Sequence, residues 1–184
     1  METYRTEEEQ VEAIKRWWRE NGKSTVFGIA LALAIVFGWK GWQGHQQTQA
    51  GEASAMFDDL LVADAAVQRD GSSLATAQHL ANTLTDQFSG LSYGQFAALF
   101  KAKYAVKSSD YETAITELEW VLAQRPSAQI KAQAEIRLAQ VFYAQKEYDK
   151  ALAYLSTLAA TGYAAEAAEL EGDVAFAQKD NAAA

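Results

Sequence analysis

Cysteine is absent from the 184 residues, proline occurs once and histidine only twice. Without cysteine there is no disulfide framework, no thiol nucleophile and no cysteine-ligated metal or cluster. One proline among many alanines points to helices, because alanine carries the lowest helix cost and proline breaks them. Neither a glycine-rich phosphate loop nor a Gly-x-Ser-x-Gly nucleophile elbow is present. His45 and His79 have no ligand spacing around them and read as solvent-exposed imidazoles rather than a metal pair. Asp58 and Asp59 are adjacent, so on a helix they point ~100° apart instead of converging as an acid/base pair. Neither an enzyme nor a bound cofactor is expected.

Basic residues are few, and their placement is uneven. From Gln43 onward there are 10 Lys and Arg against 18 Asp and Glu. That balance argues against a nucleic-acid surface, which needs a basic patch, and favours solubility.

What the sequence does have is one long apolar run. No charged residue occurs from Ser24 to Trp39, and the eighteen residues from Thr25 to Trp42 span ~27 Å as a helix. A bilayer core needs about 20 predominantly apolar residues, with a lower limit near 17. Lys40 at the end can extend its amine to the headgroups, and Trp39 and Trp42 suit a membrane interface. A buried core helix could be this apolar but is rarely hydrophobic on every face, as this run is. A cleaved signal peptide is disfavoured by the 24-residue polar leader and by Trp39-Lys40-Gly41-Trp42, which offers no small-x-small site. Ala53-Ser54-Ala55 has suitable residues but lies too far downstream. A single uncleaved transmembrane helix is expected.

Its orientation follows from the flanks. Arg5, Lys15, Arg16, Arg19 and Lys23 precede the run, and after Lys40 no basic residue occurs until Arg69. By the positive-inside rule the N-terminus is cytoplasmic and the downstream domain lies outside, in the periplasm of a bacterium. Gly28 with Ala32, and Ala30 with Ala34, give small-xxx-small spacing within the span.

Upstream, Val11, Ile14, Trp17 and Trp18 form the apolar stripe of an amphipathic helix, and Asn21-Gly22 reads as its stop. Trp17, Trp18, Trp39 and Trp42 are the membrane-interface candidates. Downstream, Gln43 to Gln49 is polar, and a helical pattern then starts with Ala53, Met56, Phe57, Leu60 and Leu61. Gly71-Ser72-Ser73 ends that helix, a second runs from about Leu74 to Phe88, and Tyr93-Gly94 opens a third.

An internal repeat follows. Tyr111-Glu-Thr-Ala114-Ile115 through Leu118 matches Tyr148-Asp-Lys-Ala151-Leu152 through Leu155, an offset of 37 residues. Ala102 and Ala139 each stand nine residues ahead of the tyrosine. Gly172 precedes Ala175, Phe176 and an expected turn at Lys179-Asp180-Asn181. Helix–turn–helix units at such a period resemble the tetratricopeptide repeat (TPR), with Pro126 where that pattern carries one. The first-helix tryptophan and leucine-glycine of the pattern are altered, to Lys101-Ala102, Leu138-Ala139 and Glu171-Gly172. The last unit stops at Ala182-Ala183-Ala184 before its second helix, as a truncated repeat would.

The run QVEAIKRWWRENGK (Gln10 to Lys23), followed by the anchor, Trp39-x-x-Trp42 and His45-Gln46, resembles the YfgM family. That resemblance covers the whole chain. It implies an ancillary subunit of the SecYEG translocon, single-pass in the bacterial inner membrane with a periplasmic TPR-like domain. It also implies association with the periplasmic chaperone PpiD in assisting exported proteins. A second role implied by the family is holding a cytoplasmic stress-response regulator through the N-terminal segment.

The expected fold is therefore all-α, one N-terminal transmembrane helix followed by a TPR-like helical-hairpin solenoid. Its segments are a cytoplasmic amphipathic stretch at 1–23, the span at 24–42 and the periplasmic domain at 43–184. Candidate partner-binding residues are the aromatics Phe100, Tyr104, Trp120, Phe142, Tyr143 and Tyr154. Core packing competes for each, since aromatics at helical spacing usually face inward. Trp120 is the best placed for a surface, flanked by Glu117 and Glu119 while Val121 and Leu122 supply a core face.

Overall fold

The computed structural model of the chain describes residues 7–183. Among these are seven α-helices and no strand. Arg5 of the basic flank and Ala184 lie outside the described residues. The chain divides into two compact units, residues 1–48 and 49–184.

The first unit consists of the leading part of helix α1, which is assigned over Glu7–Asp70. The stop expected at Asn21-Gly22 does not occur, nor does helix begin afresh after Gln49. A single glycine costs only ~1 kcal/mol in a helix, and no proline enforces a break. Local bonds favour continuation here. Asn21 Nδ2 donates to Trp17 O at 3.2 Å, and Thr25 Oγ1 donates to Asn21 O at 2.9 Å. The Trp18 ring lies 3.3 Å from where a Gly22 Cβ would stand, so the indole covers this bare backbone.

The second unit starts with the end of α1 and continues through α2 (Leu74–Gln87), α3 (Ser92–Lys107), α4 (Tyr111–Ala123), α5 (Ala128–Ala144), α6 (Tyr148–Leu155) and α7 (Ala164–Ala183). Short connections make consecutive helices neighbours. Ala53, Leu60, Ala63 and Val67 of α1 bury against Ala77, Ala81 and Leu84 of α2 and Ala97 and Tyr104 of α3. The i, i+3, i+4 spacing on α1 is the sequence cause of that face. Gly94 allows close approach at the start of α3. A Cβ there would stand 2.5 Å from Phe88 O, a backbone atom with little room to retreat.

The 37-residue repeat is structural. Ala114 and Ala151 are both fully buried, as are Ala102, Ala139, Leu118 and Leu155 to within a few per cent. The turns preceding the repeated tyrosines match atom for atom. Asp110 N donates to Ala105 O and Ser109 N to Val106 O, both at 2.9 Å; Glu147 N donates to Phe142 O and Lys146 N to Tyr143 O, both also at 2.9 Å. This pair of bonds is the Schellman C-cap, and its left-handed residue is Ser109 (φ 61°) in one copy and Lys146 (φ 62°) in the other. Asp110 then caps α4 by accepting from Thr113 N at 3.1 Å.

The third unit departs from expectation. α7 continues to Ala183, so there is no turn at Lys179–Asn181. Its buried stripe is Ala167, Leu170 and Val174. Gly172 faces open space and Phe176 is 69% exposed, whereas Ala139, 33 residues ahead of Gly172, is fully buried. The stripe packs where α5 and α6 leave apolar surface, and this fixes the helix's rotation.

Candidate functional site

Two features have functional geometry, one in each unit. In the first unit, the large apolar side chains Val26, Phe27, Ile29, Leu31, Leu33, Ile35, Val36 and Phe37 are all more than half exposed. They point in every direction around the helix, and burying each would release about 1.5–3 kcal/mol. Only an apolar surrounding satisfies such a surface. The stretch is long and apolar enough to cross a membrane. Trp17 and Trp18 pair on one side of it with ring centroids 6.3 Å apart, and Trp39 and Trp42 pair on the other at 5.2 Å. All four are exposed, as amphipathic rings at two membrane interfaces would be.

In the second unit, the six candidate aromatics do not form one surface. Tyr104 and Phe142 are buried, at 4% and 5% exposure, and belong to the core. Each sits on the inward face of its helix, Tyr104 against the end of α1 and Phe142 within the α3–α6 core. Phe100 is half-buried beside Phe57, with the Lys103 ammonium 5.3 Å over its ring. Tyr143 is half-buried and meets Tyr148 at 6.0 Å. Tyr154 stacks on Phe142 at 5.8 Å with planes 10° apart. Burial pushes the Tyr154 phenol upward in pKa, and Glu119 and Glu135 push it the same way. Trp120 is half-buried, close to the Lys101–Glu117 ion pair of 2.6 Å. Val121 beneath it is fully buried.

A polar cluster ties α1 to α3. Lys103 Nζ donates to both oxygens of Asp64 at 2.8 and 2.9 Å, and Tyr104 Oη donates to Asp64 Oδ1 at 3.0 Å. Burial works to raise the Asp64 pKa, but the bonds from Lys103 and Tyr104 outweigh it and the net direction is down. The Tyr104 phenol is raised by burial and by the Asp64 charge.

Sequence reasoning did not single out Arg137. It lines a cavity of about 350 Å³ between α3, α4 and α5, together with Lys103, Val106, Tyr111, Leu118 and Val141. One Nη1 hydrogen goes to the Leu99 carbonyl at 3.1 Å. Among the described residues no carboxylate lies within ion-pair distance of it. Burial acts against its charge, and Tyr163 acts the other way without cancelling it. The only signal in the sequence was a charged residue at the centre of an otherwise buried helical face, Ala134-x-x-Arg137-Leu138-x-x-Val141. His45, His79, Asp58 and Asp59 are exposed.

The family model for a tetratricopeptide repeat-like domain matches residues 15–184. Among curated relatives, an "Ancillary SecYEG translocon subunit" of Escherichia coli (strain K12) is 33% identical over 180 residues, covering 98% of this chain and 84% of the relative. A protein of the same name from Haemophilus influenzae is 31% identical over 182 residues, covering 97% and 84%. One from Neisseria gonorrhoeae is 28% identical over 179 residues, again covering 97% and 84%. No solved structure matches the chain.

Proposed function

Because this chain belongs to the family of ancillary SecYEG translocon subunits, we propose that it is a non-enzymatic, membrane-tethered subunit of that machinery. α1 anchors it in the bacterial inner membrane through residues 24–42. The basic flank of Lys15, Arg16, Arg19 and Lys23 keeps the N-terminus cytoplasmic, which leaves residues 43–184 in the periplasm. The helical domain there engages SecYEG, the chaperone PpiD and exported chains near the channel exit. The mechanism is effective concentration: a tether confined to the membrane plane turns a weak contact into a frequent one. The half-buried aromatics Phe100, Trp120, Tyr143 and Tyr154 retain exposed edges for such contacts. Tyr104 and Phe142 do not.

The observation that carries this reading is the apolar stretch from Val26 to Phe37, more than half exposed at every large side chain, in a chain 98% of which matches the Escherichia coli relative. Photo-crosslinkers at the positions of Trp39 and Trp42, activated in intact membranes, provide the test. Capture of a SecYEG component is expected, and consistent failure to capture one sinks the reading.

A second reading has its own observation. Val11, Ile14, Trp17 and Trp18 are all about half exposed or more, leaving an unpartnered stripe ahead of the span. This stripe would hold a cytoplasmic stress-response regulator. Deleting residues 1–23 while keeping the span would then release the regulator and leave translocon co-purification intact.

A further inference from the structure

In the first unit Gly22 is buried, although its neighbours Asn21 and Lys23 are exposed. The cause is the Trp18 indole, which lies 3.3 Å from where a Gly22 Cβ would stand. At Gly28, Gly38, Gly41 and Gly44 a Cβ would meet nothing within 4 Å, so the covered glycine is particular to this turn. With no side chain at position 22, the helix surface is hollowed into an open groove of about 630 Å³, and Trp18 forms one wall. Arg19 and Lys23 line its N-terminal half, and Val26, Phe27 and Ala30 line the other. Neither cation has a carboxylate within ion-pair distance among the described residues. Glu20, next to Arg19 in the chain, projects ~100° away from it around the helix.

We propose that this groove is a site for one anionic phospholipid of the cytoplasmic leaflet, Arg19 and Lys23 holding its phosphodiester and Val26, Phe27 and Ala30 lying along an acyl chain. The proposal rests on the reading that residues 24–42 span the membrane with the N-terminus cytoplasmic. Residues four apart on a helix stand ~5–6 Å apart at Cβ, so both cations reach one phosphate. A guanidinium takes phosphate oxygens bidentately, and an ammonium adds a point charge. Arg19 and Ala30 are ~16 Å apart along the axis, about half the thickness of a ~30 Å bilayer core. Headgroup and upper acyl chain therefore meet the cations and the apolar wall in that order. The indole over Gly22 stands between them, at the level of the glycerol esters, where tryptophan is at home. Free phosphate would leave the apolar half of the groove uncovered. A second copy of the chain entering parallel would bring its own Arg19 and Lys23 to the same level, like charge against like. An anionic lipid suits both halves, and once bound it fixes the rotation of α1 at the inner interface.

The test uses the full chain in detergent micelles. Phosphatidylglycerol and phosphatidylcholine with the same acyl chains are titrated separately, and native mass spectrometry reads the lipid retained. One phosphatidylglycerol is expected to bind about tenfold more tightly than phosphatidylcholine. Gly22→Leu fills the floor of the groove, leaves every charge in place and favours the helix. It should abolish the preference, which mere attraction to a basic flank would retain. Arg19→Gln with Lys23→Gln should abolish it too. Lys15→Gln with Arg16→Gln removes the same charge outside the groove and should keep most of it. Excess inorganic phosphate should not displace the lipid. Flotation with phosphatidylcholine vesicles tests the span separately. A chain that floats but shows no lipid preference overturns the proposal alone, and a chain that does not float overturns the span with it. A preference that survives Gly22→Leu, equal losses in the two double variants, or displacement by phosphate would each overturn the proposal.

Discussion

The Tyr104 hydroxyl donates to Asp64 Oδ1 across 3.0 Å, joining the third helix to the end of the first. Lys103 holds the same carboxylate through both oxygens, so Asp64 serves two neighbouring residues of α3 at once. Tyr104→Phe should cost about 1 kcal/mol, the net worth of one hydrogen bond. Asp64→Asn should cost roughly 1–3 kcal/mol, because it removes a charge-assisted bond and leaves Lys103 unneutralised. In urea melts the double variant should cost less than the sum of the two, since they share a bond. Strict additivity would mean that the two groups do not interact in solution.

The same cluster makes stability depend on pH at both ends. Although burial works to raise it, folding holds the Asp64 carboxyl below its ordinary range, because the bonds from Lys103 and Tyr104 outweigh that effect. Its contribution is fully present above the unfolded value and is lost as pH falls through the lower folded value. The Tyr104 pKa is raised from 10.0, so its contribution is complete below 10 and is lost as pH climbs through the folded value. Asp64→Asn should flatten the acid limb below about pH 4, and Tyr104→Phe the alkaline limb above about pH 10. Thermal melts across pH read both. An acid limb unchanged by Asp64→Asn would assign it to other carboxylates.

Gly94→Ala should destabilise the protein by about 1–3 kcal/mol, although alanine is the better helix former by ~1 kcal/mol. The new methyl would meet Phe88 O at 2.5 Å and Leu84 O at 3.1 Å, both backbone atoms. Helix α3 would have to move off the end of α2. A midpoint at or above that of the parent would show that the two segments stand farther apart.

Leu118→Ala and Leu155→Ala should each cost about 2–5 kcal/mol, because both side chains are buried at equivalent positions of the repeat. Phe176→Ala should stay within ~0.5 kcal/mol, since the ring stands in solvent. Denaturant midpoints distinguish these outcomes. A large loss at Phe176 would mean that α7 is rotated about its axis.

The repeat was legible because its signature is local. The spacing of Tyr111, Ala114 and Leu118 recurs at Tyr148, Ala151 and Leu155, and a helix turns any such spacing into a face. The third unit misled because Gly172 and Phe176 carry the right residue types at roughly the right spacing. Which stripe of α7 is buried depends on the surface that α5 and α6 present to it. Tyr104 and Phe142 were read as candidates for a binding surface for the same reason: an aromatic on a helix shows its period, and the period does not say which side has a neighbour.

The apolar run from Ser24 to Trp39, with its flanking tryptophans and basic leader, needed no fold to be understood. An uninterrupted apolar helix prefers a membrane whatever else it touches, since solvent preference is a property of the side chains themselves. The Asp64–Tyr104 bond spans 40 positions and the Arg137–Leu99 bond 38, and only the assembled helices bring either pair together. The left-over charge in the Arg137 cavity belongs to this second kind. A cationic side chain is recognisable in any sequence, but whether an anion lies within its reach is decided by every residue that packs around it.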